Sequence, residues 1–327
     1  MVEWRLTDKV YSVGIFLIRK GKIIMNANMT SPTFTSLDSA ISALFGEDIK
    51  ITGRSGISGG DINEAYRLTL SDGNTLFMKT NRLENASFFT AEAAGLAALA
   101  STHAIGLPKI LGTGIDTDGG FSFLLLEMIR GAARVRDYWE ILGQELASLH
   151  KYDPSEYSGT GKYGFHSDNY IGMSAQKNTP CDSWVEFFRS NRLEPQFKRA
   201  ERYFGSEDMK RIHALLDNLD RLLIEPEYPS LLHGDLWGGN VMTGNDGKAW
   251  LIDPAVYVGH REVDIAMTEL FGGFSQSFYA SYQESAPLEP GYQDRLELYN
   301  LYQLLNHLNM FGGSYLSSVL RTVRAFT

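Results

Sequence analysis

The sequence predicts a two-lobed α+β fold, on two observations. Up to about residue 130, short runs alternate apolar and polar residues between Gly- and Asp-containing turns, with one Ala- and Leu-rich helical stretch among them. Beyond that point the pattern changes to long amphipathic runs of helical period. With 327 residues, 43% of them hydrophobic, the chain can fill one large domain or two smaller ones with a sizeable core. The boundary falls at Glu127 to Gly131. Residues 1–37 read as an N-terminal extension, 38–128 as a β-rich first lobe with one main helix, and 129–327 as a mostly helical second lobe.

The elements follow in order. Residues 10–28, "VYSVGIFLIRKGKIIMNAN", are two β-branched runs around "RKGK", a hairpin signal with Gly21 in the turn. "SPTFTSLDSA" breaks the pattern, and Asp38 is expected to cap a helix over 39–45. From residue 49, "IKITGRSGISGG" is a strand running into a Gly-rich turn. "EAYRLTL" and "TLFMKT" are strands joined by "SDGN". "SFFTAEAAGLAALAST", 87–102, is helical, and "LPKILGTGID" and "FSFLLLEMI" are strands around "TDGG". Then "YWEILGQELASLHKY", "DSWVEFFRSNRLEPQFKRAERYF" and "SEDMKRIHALLDNLDRLLI" read as helices. A loop region spans 231–265, and 264–282 and 293–326 are helical again.

Composition excludes several functions. The net charge of −9 argues against a duplex nucleic-acid binder, which would carry a basic face. It leaves room for a nucleotide held by a local cluster. Cys181 is the only cysteine, so no intramolecular disulfide and no Cys-based metal site is available, and a reducing compartment, the cytoplasm, is expected. The apolar run "VGIFLI", 13–18, is too short for a membrane helix and has no cleavage site after it, so neither a membrane span nor a signal peptide is expected.

The chemistry concentrates in "HGDLWGGN", 233–240. Asp235 can take a proton from an attacking hydroxyl. Asn240, five residues on, and Asp253, thirteen residues further and at the end of the apolar strand "AWLID", can converge across a hairpin. Two such oxygens suit Mg²⁺, which takes a few protein ligands together with water and phosphate. Taken singly, these are also ordinary turn residues. The Asp…Asn…Asp order resembles the protein-kinase pattern of catalytic base, metal-binding Asn and metal-binding Asp.

A kinase needs three further parts upstream, in order. Gly59 and Gly60 in "SGGDINEAYRL" offer backbone N–H groups to phosphate, although a Gly pair is equally an ordinary β-turn. Lys79 in "TLFMKT" shares a strand with Leu76, Met78 and Thr80 on the other face. Glu92, a charge in an Ala- and Phe-rich helix, is the partner a buried lysine requires. A surface Lys and a surface Glu remain the alternative for each alone. Glu127, Met128 and Ile129 in "LLLEMI" then form the hinge, with backbone groups for adenine. Asp264 in "REVDIAM" either caps its helix or receives N–H groups of the loop, and with His233 it is assigned to structural support. His150 reads as a packed, hydrogen-bonded residue.

From about residue 39 onward the chain resembles the fructosamine kinase (ketosamine-3-kinase) family, within the protein-kinase-like fold shared with aminoglycoside and choline kinases. The stretches that carry the resemblance are "HGDLWGGN", "DPAVYVGHREVDIAM", "ELFGGF", "YQLLNHLNMFGG", "YGFHSDNYIG" and "WVEFFRSNRLEPQ". It implies Asp235 as proton acceptor, Asn240 and Asp253 as magnesium ligands, and Lys79 with Glu92 as the nucleotide-side pair. It implies ATP and Mg²⁺ as cofactors and a ketoamine as substrate. The sugar 3-hydroxyl is phosphorylated and the adduct then decomposes, freeing the amine. A kinase for another hydroxylated amine, such as an aminoglycoside, and a nucleotide-binding pseudokinase are the alternatives.

Trp237 stands where protein kinases usually carry a Lys, and its indole offers a flat face to a sugar ring; packing beneath the loop is the other reading. The loop is His-Gly-Asp, not His-Arg-Asp, so no Arg is present to receive an activation-loop phosphate and constitutive activity is expected. Some family members carry a Cys in the phosphate loop as a redox switch. Here Cys181 lies far downstream, and that regulation is not expected.

Overall fold

The alternating segments assemble into one six-stranded sheet in a computed structural model that describes residues 18–19, 22–23, 32–58 and 63–327. The chain divides into two units, Met1–Thr30 and Ser31–Thr327. In the first, β1 (Ile18–Arg19) and β2 (Lys22–Ile23) pair antiparallel, Ile18 opposite Ile23. The rest of the hairpin expected over 10–28, Gly21 included, lies outside the described residues.

The second unit opens with β3 (Thr33–Phe34), α1 (Leu37–Phe45), β4 (Ile51–Ile57), β5 (Glu64–Leu70), β6 (Thr75–Arg82), α2 (Ala86–Ser101), β7 (Ile110–Asp116) and β8 (Phe121–Glu127). The sheet order is β3-β7-β8-β6-β5-β4, with β3 parallel to β7 and the other pairs antiparallel. The two-residue period sends Leu76 and Met78 of β6 to one face, where they pack with Leu68 and Phe123 under Ala40 and Ile41 of α1. It sends Phe77 and Lys79 to the other face, where Phe89, Ala93 and Leu96 of α2 cover Leu124 and Leu126. Register alone therefore turns Lys79 toward α2.

Two expectations for this lobe change. The N-cap of α1 is Ser36, not Asp38. Its hydroxyl accepts from Ser39 N–H (3.1 Å) while Ser39 Oγ accepts from Ser36 N–H (3.2 Å), a reciprocal pair that starts the helix at Leu37. Thr33, Phe34 and Leu37, read from sequence as part of the extension, belong to the lobe: Thr33 pairs with Thr113, and Leu37 is buried in the sheet's α1-side core.

The helical part continues with α3 (Tyr138–Lys151), the hairpin β9 (Asn169–Ile171) and β10 (Ser174–Gln176), α4 (Trp184–Phe187), a π-helical turn (Phe188–Leu193), α5 (Glu194–Ala200), α6 (Ser206–Asp217) and α7 (Leu219–Leu222). It closes with β11 (Ser230–Leu232), β12 (Val241–Thr243), β13 (Ala249–Leu251), β14 (Tyr257–Gly259), α8 (Glu262–Leu270), α9 (Gln276–Ser285), α10 (Tyr292–Phe311) and α11 (Leu316–Ala325). β11 pairs with β14 and β12 with β13, both antiparallel. The core gathers on α10, whose Leu298, Tyr299, Leu301, Leu305 and Leu308 are buried. The helices expected over 264–282 and 293–326 are each broken, at Gly272–Gly273 and at Gly312, where the backbone is left-handed. Among the described residues no helix is long and apolar enough to cross a membrane.

Candidate active site

The segment between β11 and β12 is held from behind. Asp264, in the first turn of α8, does not cap that helix, whose N-cap is Arg261. Its two carboxylate oxygens instead accept from the backbone N–H groups of His233 (2.7 Å) and Gly234 (2.8 Å). His150 Nε2 lies 3.2 Å from the same carboxylate and its Nδ1 2.8 Å from Tyr282 Oη, all buried. His233 is buried too. Its Nδ1 accepts from Asp235 N–H (3.3 Å), which leaves Nε2 as the donor to Ile252 C=O (2.9 Å). Gly234 has φ +81°, and a Cβ there would sit 2.1 Å from Ala255 O. That is why glycine stands where protein kinases carry Arg: the backbone of 253–257 crosses directly over it, bonded by Ala255 N–H to His233 C=O (2.8 Å).

On this frame the predicted residues converge. Asn240 Nδ2 donates to Asp235 C=O (2.8 Å) and to Asp235 Oδ2 (3.1 Å), which leaves the amide oxygen of Asn240 for another partner. Lys79 Nζ lies 2.7 Å from Glu92 Oε1 and 2.6 Å from Asp253 Oδ1. Asp253 adopts φ +54°, a left-handed backbone at a non-glycine residue, the sort of strain a site retains when the surrounding structure fixes it.

The electrostatics follow from burial and these pairs. Burial works against the charge of Lys79, but Glu92 and Asp253 outweigh it and hold the ammonium above its ordinary value, so it stays protonated. Burial raises Glu92. Asp235 is pushed up to about 7, chiefly by burial; the Asn240 hydrogen bond opposes the rise, while Asp253 and Asp264 add to it. A carboxylate so placed titrates near neutrality.

Lys79, Glu92, Asp235, Asn240 and Asp253 line one cavity of about 490 Å³. Glu127, Met128 and Ile129 line it as well. The Glu127 N–H is taken by Lys109 C=O (2.8 Å), which leaves the backbone of Met128 and Ile129 for a base. Gly59 and Gly60 lie outside the described residues, and Ile57, Ser58 and Asn63 on either side of them line the cavity. Trp237 is 39% exposed and edge-on to Phe271 (6.1 Å between ring centroids), so it is not core packing. The donor set fits a hard divalent cation. Asn240 has a spare amide oxygen, and the side chain of Asp253 is 45% exposed with only one oxygen bound by Lys79.

Sequence reasoning missed two contributors. The β9–β10 hairpin supplies Tyr170, whose hydroxyl meets Ser87 Oγ of α2 (3.0 Å) and whose ring packs on Phe88 (4.1 Å). It is held by a buried amide network. Asn169 Nδ2 donates to Val256 C=O, Gln176 Nε2 to Ala255 C=O, and Arg192, its guanidinium 3.9 Å from the Tyr257 ring centroid, to Asn178 Oδ1. The second contributor is α10, which brings Asn306, His307, Met310 and Phe311 to the cavity. A signal existed for it. Asn300, Gln303 and Asn306 recur every three residues in an otherwise apolar helix, and Gln303 Nε2 donates to Gly234 C=O (3.0 Å).

A strand-borne lysine paired to a helix glutamate, a hinge, and an Asp–Asn–Asp set below it define a protein-kinase-like phosphotransferase. The family model for fructosamine kinase matches residues 33–326. The chain is 40% identical over 293 residues to a "probable ketoamine kinase" of Synechocystis sp., covering 89% of this chain and 95% of that one. It is 38% identical over 280 residues to the chloroplastic protein-ribulosamine 3-kinase of Oryza sativa subsp. indica, covering 85% and 80%. The crystal structure of a "putative fructosamine-3-kinase" from Haemophilus somnus matches with a TM-score of 0.79 at 33% identity, covering 89% of this chain and 96% of that one. The chain belongs to the fructosamine kinase family, and it is a kinase with an alcohol group as acceptor.

Proposed function

We propose that the protein transfers the γ-phosphoryl group of ATP to the sugar 3-hydroxyl of a small-molecule or amine-borne ketoamine, in the cytoplasm. One observation carries the choice of acceptor. Beyond Asp235 the cavity wall from the helical part is neutral and aromatic, with Trp237, Asn306, His307, Met310 and Phe311. The carboxylates on the described lining are Glu92, Glu127, Asp235 and Asp253, which belong to the lysine pair, the hinge and the catalytic loop. That suits a sugar with one amine better than a multiply cationic aminoglycoside.

In this reading Asp235 accepts the proton of the acceptor hydroxyl as the new O–P bond forms, and ADP leaves with the β–γ bridging oxygen. Its elevated basicity suits a base working near neutral pH. Lys79, fixed by Glu92, meets the α- and β-phosphates, and the backbone at Met128 and Ile129 meets adenine. Asn240 and Asp253 would hold Mg²⁺, which would supply neutralisation of the charge on the transferring phosphoryl group. Trp237 offers its face to the sugar.

The test is transfer by the purified protein with Mg²⁺, ATP and fructose-lysine, with the product's phosphate position read by NMR. Phosphate on the 3-hydroxyl is expected. Phosphate on another hydroxyl, or nucleotide binding without transfer, overturns the reading.

A further inference from the structure

α10 carries into the cavity a side chain that the chemistry above does not use. His307 sits within a frame of rings: edge-on to Phe271 at 5.1 Å, and near parallel to Phe311 at 5.5 Å and Tyr315 at 5.0 Å. Among the described residues neither ring nitrogen has a hydrogen-bond partner within the protein, and Nδ1 is fully buried. The Gln303 backbone, one turn back, favours the protonated ring. Burial outweighs it and holds the imidazole below its ordinary basicity, hence neutral at pH 7. With Nδ1 buried, Nε2 is the ring nitrogen left for a ligand, and a hydroxyl can pair with it in either tautomer.

Its polar neighbours are each bonded within the protein through one atom, and Gln303 Oε1 is buried without a partner. Asn306 Oδ1 accepts from Gln196 Nε2 (3.4 Å), and Gln303 Nε2 is committed to the Gly234 carbonyl (3.0 Å). His307, with Asn306 beside it, is a polar side chain that this stretch of α10 places on the cavity lining. It is joined through Phe271 to Trp237, two residues from Asp235. Aromatic faces with one neutral polar nitrogen between them match a sugar, whose C–H faces pack on rings while a hydroxyl can donate to or accept from that nitrogen.

We propose that His307 hydrogen-bonds a hydroxyl of the ketoamine's sugar, other than the one that receives phosphate, and so selects the sugar and the way it lies against Asp235. This rests on the ketoamine reading above and extends it to a specificity residue.

The experiment compares wild type with His307→Phe, which keeps an aromatic ring, and His307→Gln, which keeps a donor and an acceptor. The substrates are fructose-lysine and analogues each lacking one sugar hydroxyl. His307→Phe should raise KM for fructose-lysine about tenfold, as loss of one hydrogen bond requires. KM for Mg·ATP should stay within twofold, which also reports that the variant is folded. His307→Gln should recover part of the loss. One deoxy analogue should lose about tenfold on wild type and nothing further on His307→Phe, the signature of a direct pair. An unchanged KM in His307→Phe, or an equal rise for both substrates, overturns the subsite while leaving ketoamine turnover intact. No turnover of fructose-lysine by wild type overturns the functional reading itself, and the subsite with it.

Discussion

The two walls of the one cavity are built on different physics. On the sheet side a buried lysine stands between two carboxylates at 2.6 and 2.7 Å. On the helical side Trp237 and Phe311 line the cavity 39% and 49% exposed, with a neutral histidine between them and Phe271 behind. Buried charge must be paired, so the first wall is stiff and suited to phosphate and metal. Exposed rings are costly to leave in water, so the second wall stands ready to cover an apolar or sugar face. On the function proposed above, the first side binds nucleotide and the second chooses the acceptor.

The largest effect is expected where the walls meet. Asp235→Asn should lower kcat by about 10³-fold, within the range for loss of a general base, with nucleotide affinity spared. Steady-state kinetics beside a nucleotide titration checks this, and a rate within tenfold of wild type would remove Asp235 from the chemistry. Lys79→Met breaks the charged wall. It leaves Glu92 and Asp253 facing each other without the ammonium, so stability should fall by about 3 kcal/mol and KM for ATP should rise, with KM for the ketoamine unmoved. Denaturant unfolding and the two KM values read it, and a matching rise in both would erase the contrast.

Trp237→Ala breaks the neutral wall. Its expected cost of about 1 kcal/mol in substrate binding raises the ketoamine KM roughly fivefold and leaves the ATP KM alone. The smallest effect is a control away from both walls. Glu225 accepts from Trp184 N–H (2.9 Å), Val185 N–H (3.2 Å), Ser183 Oγ (2.7 Å) and Tyr163 Oη (3.3 Å) at the start of α4. Burial would raise its pKa, but these donors outweigh it and hold it below the ordinary 4.5. A depressed carboxyl stabilises the fold above its unfolded pKa and loses that contribution as pH falls through the folded value. Glu225→Gln should therefore cost about 1 kcal/mol at pH 7. The gap in Tm from wild type should close below pH 4.5 with both KM values constant. A gap that stays level with pH would mean that the carboxylate charge is not what the donors hold.

The same contrast explains what the sequence disclosed. Lys79, Glu92, Asp235 and Asp253 are charges in apolar or Gly-rich surroundings, an anomaly that stands out in one dimension. The sheet was legible because β5 and β6 alternate cleanly. His307, Phe271 and Phe311 were hidden because aromatics on an amphipathic helix read as core, and only the chain's return past Asp235 exposes them. Tyr170 was hidden because strands of three residues carry too little period to detect. Residues 264–282 and 293–326 keep helical composition through their breaks, so only left-handed glycines divide them. Ser36 displaces Asp38 as cap because hydroxyl pairing at the N-cap is decided by backbone geometry.

The most direct test of the central claim is the ratio of kcat/KM for fructose-lysine to that for a multiply cationic aminocyclitol antibiotic, measured on the wild-type protein with Mg·ATP. A neutral acceptor wall predicts a ratio of about 10³ or more, since a site that leaves several ammonium groups unpaired rejects them strongly. A ratio near one, or one favouring the aminocyclitol, would contradict the assignment of that wall to the sugar of a ketoamine.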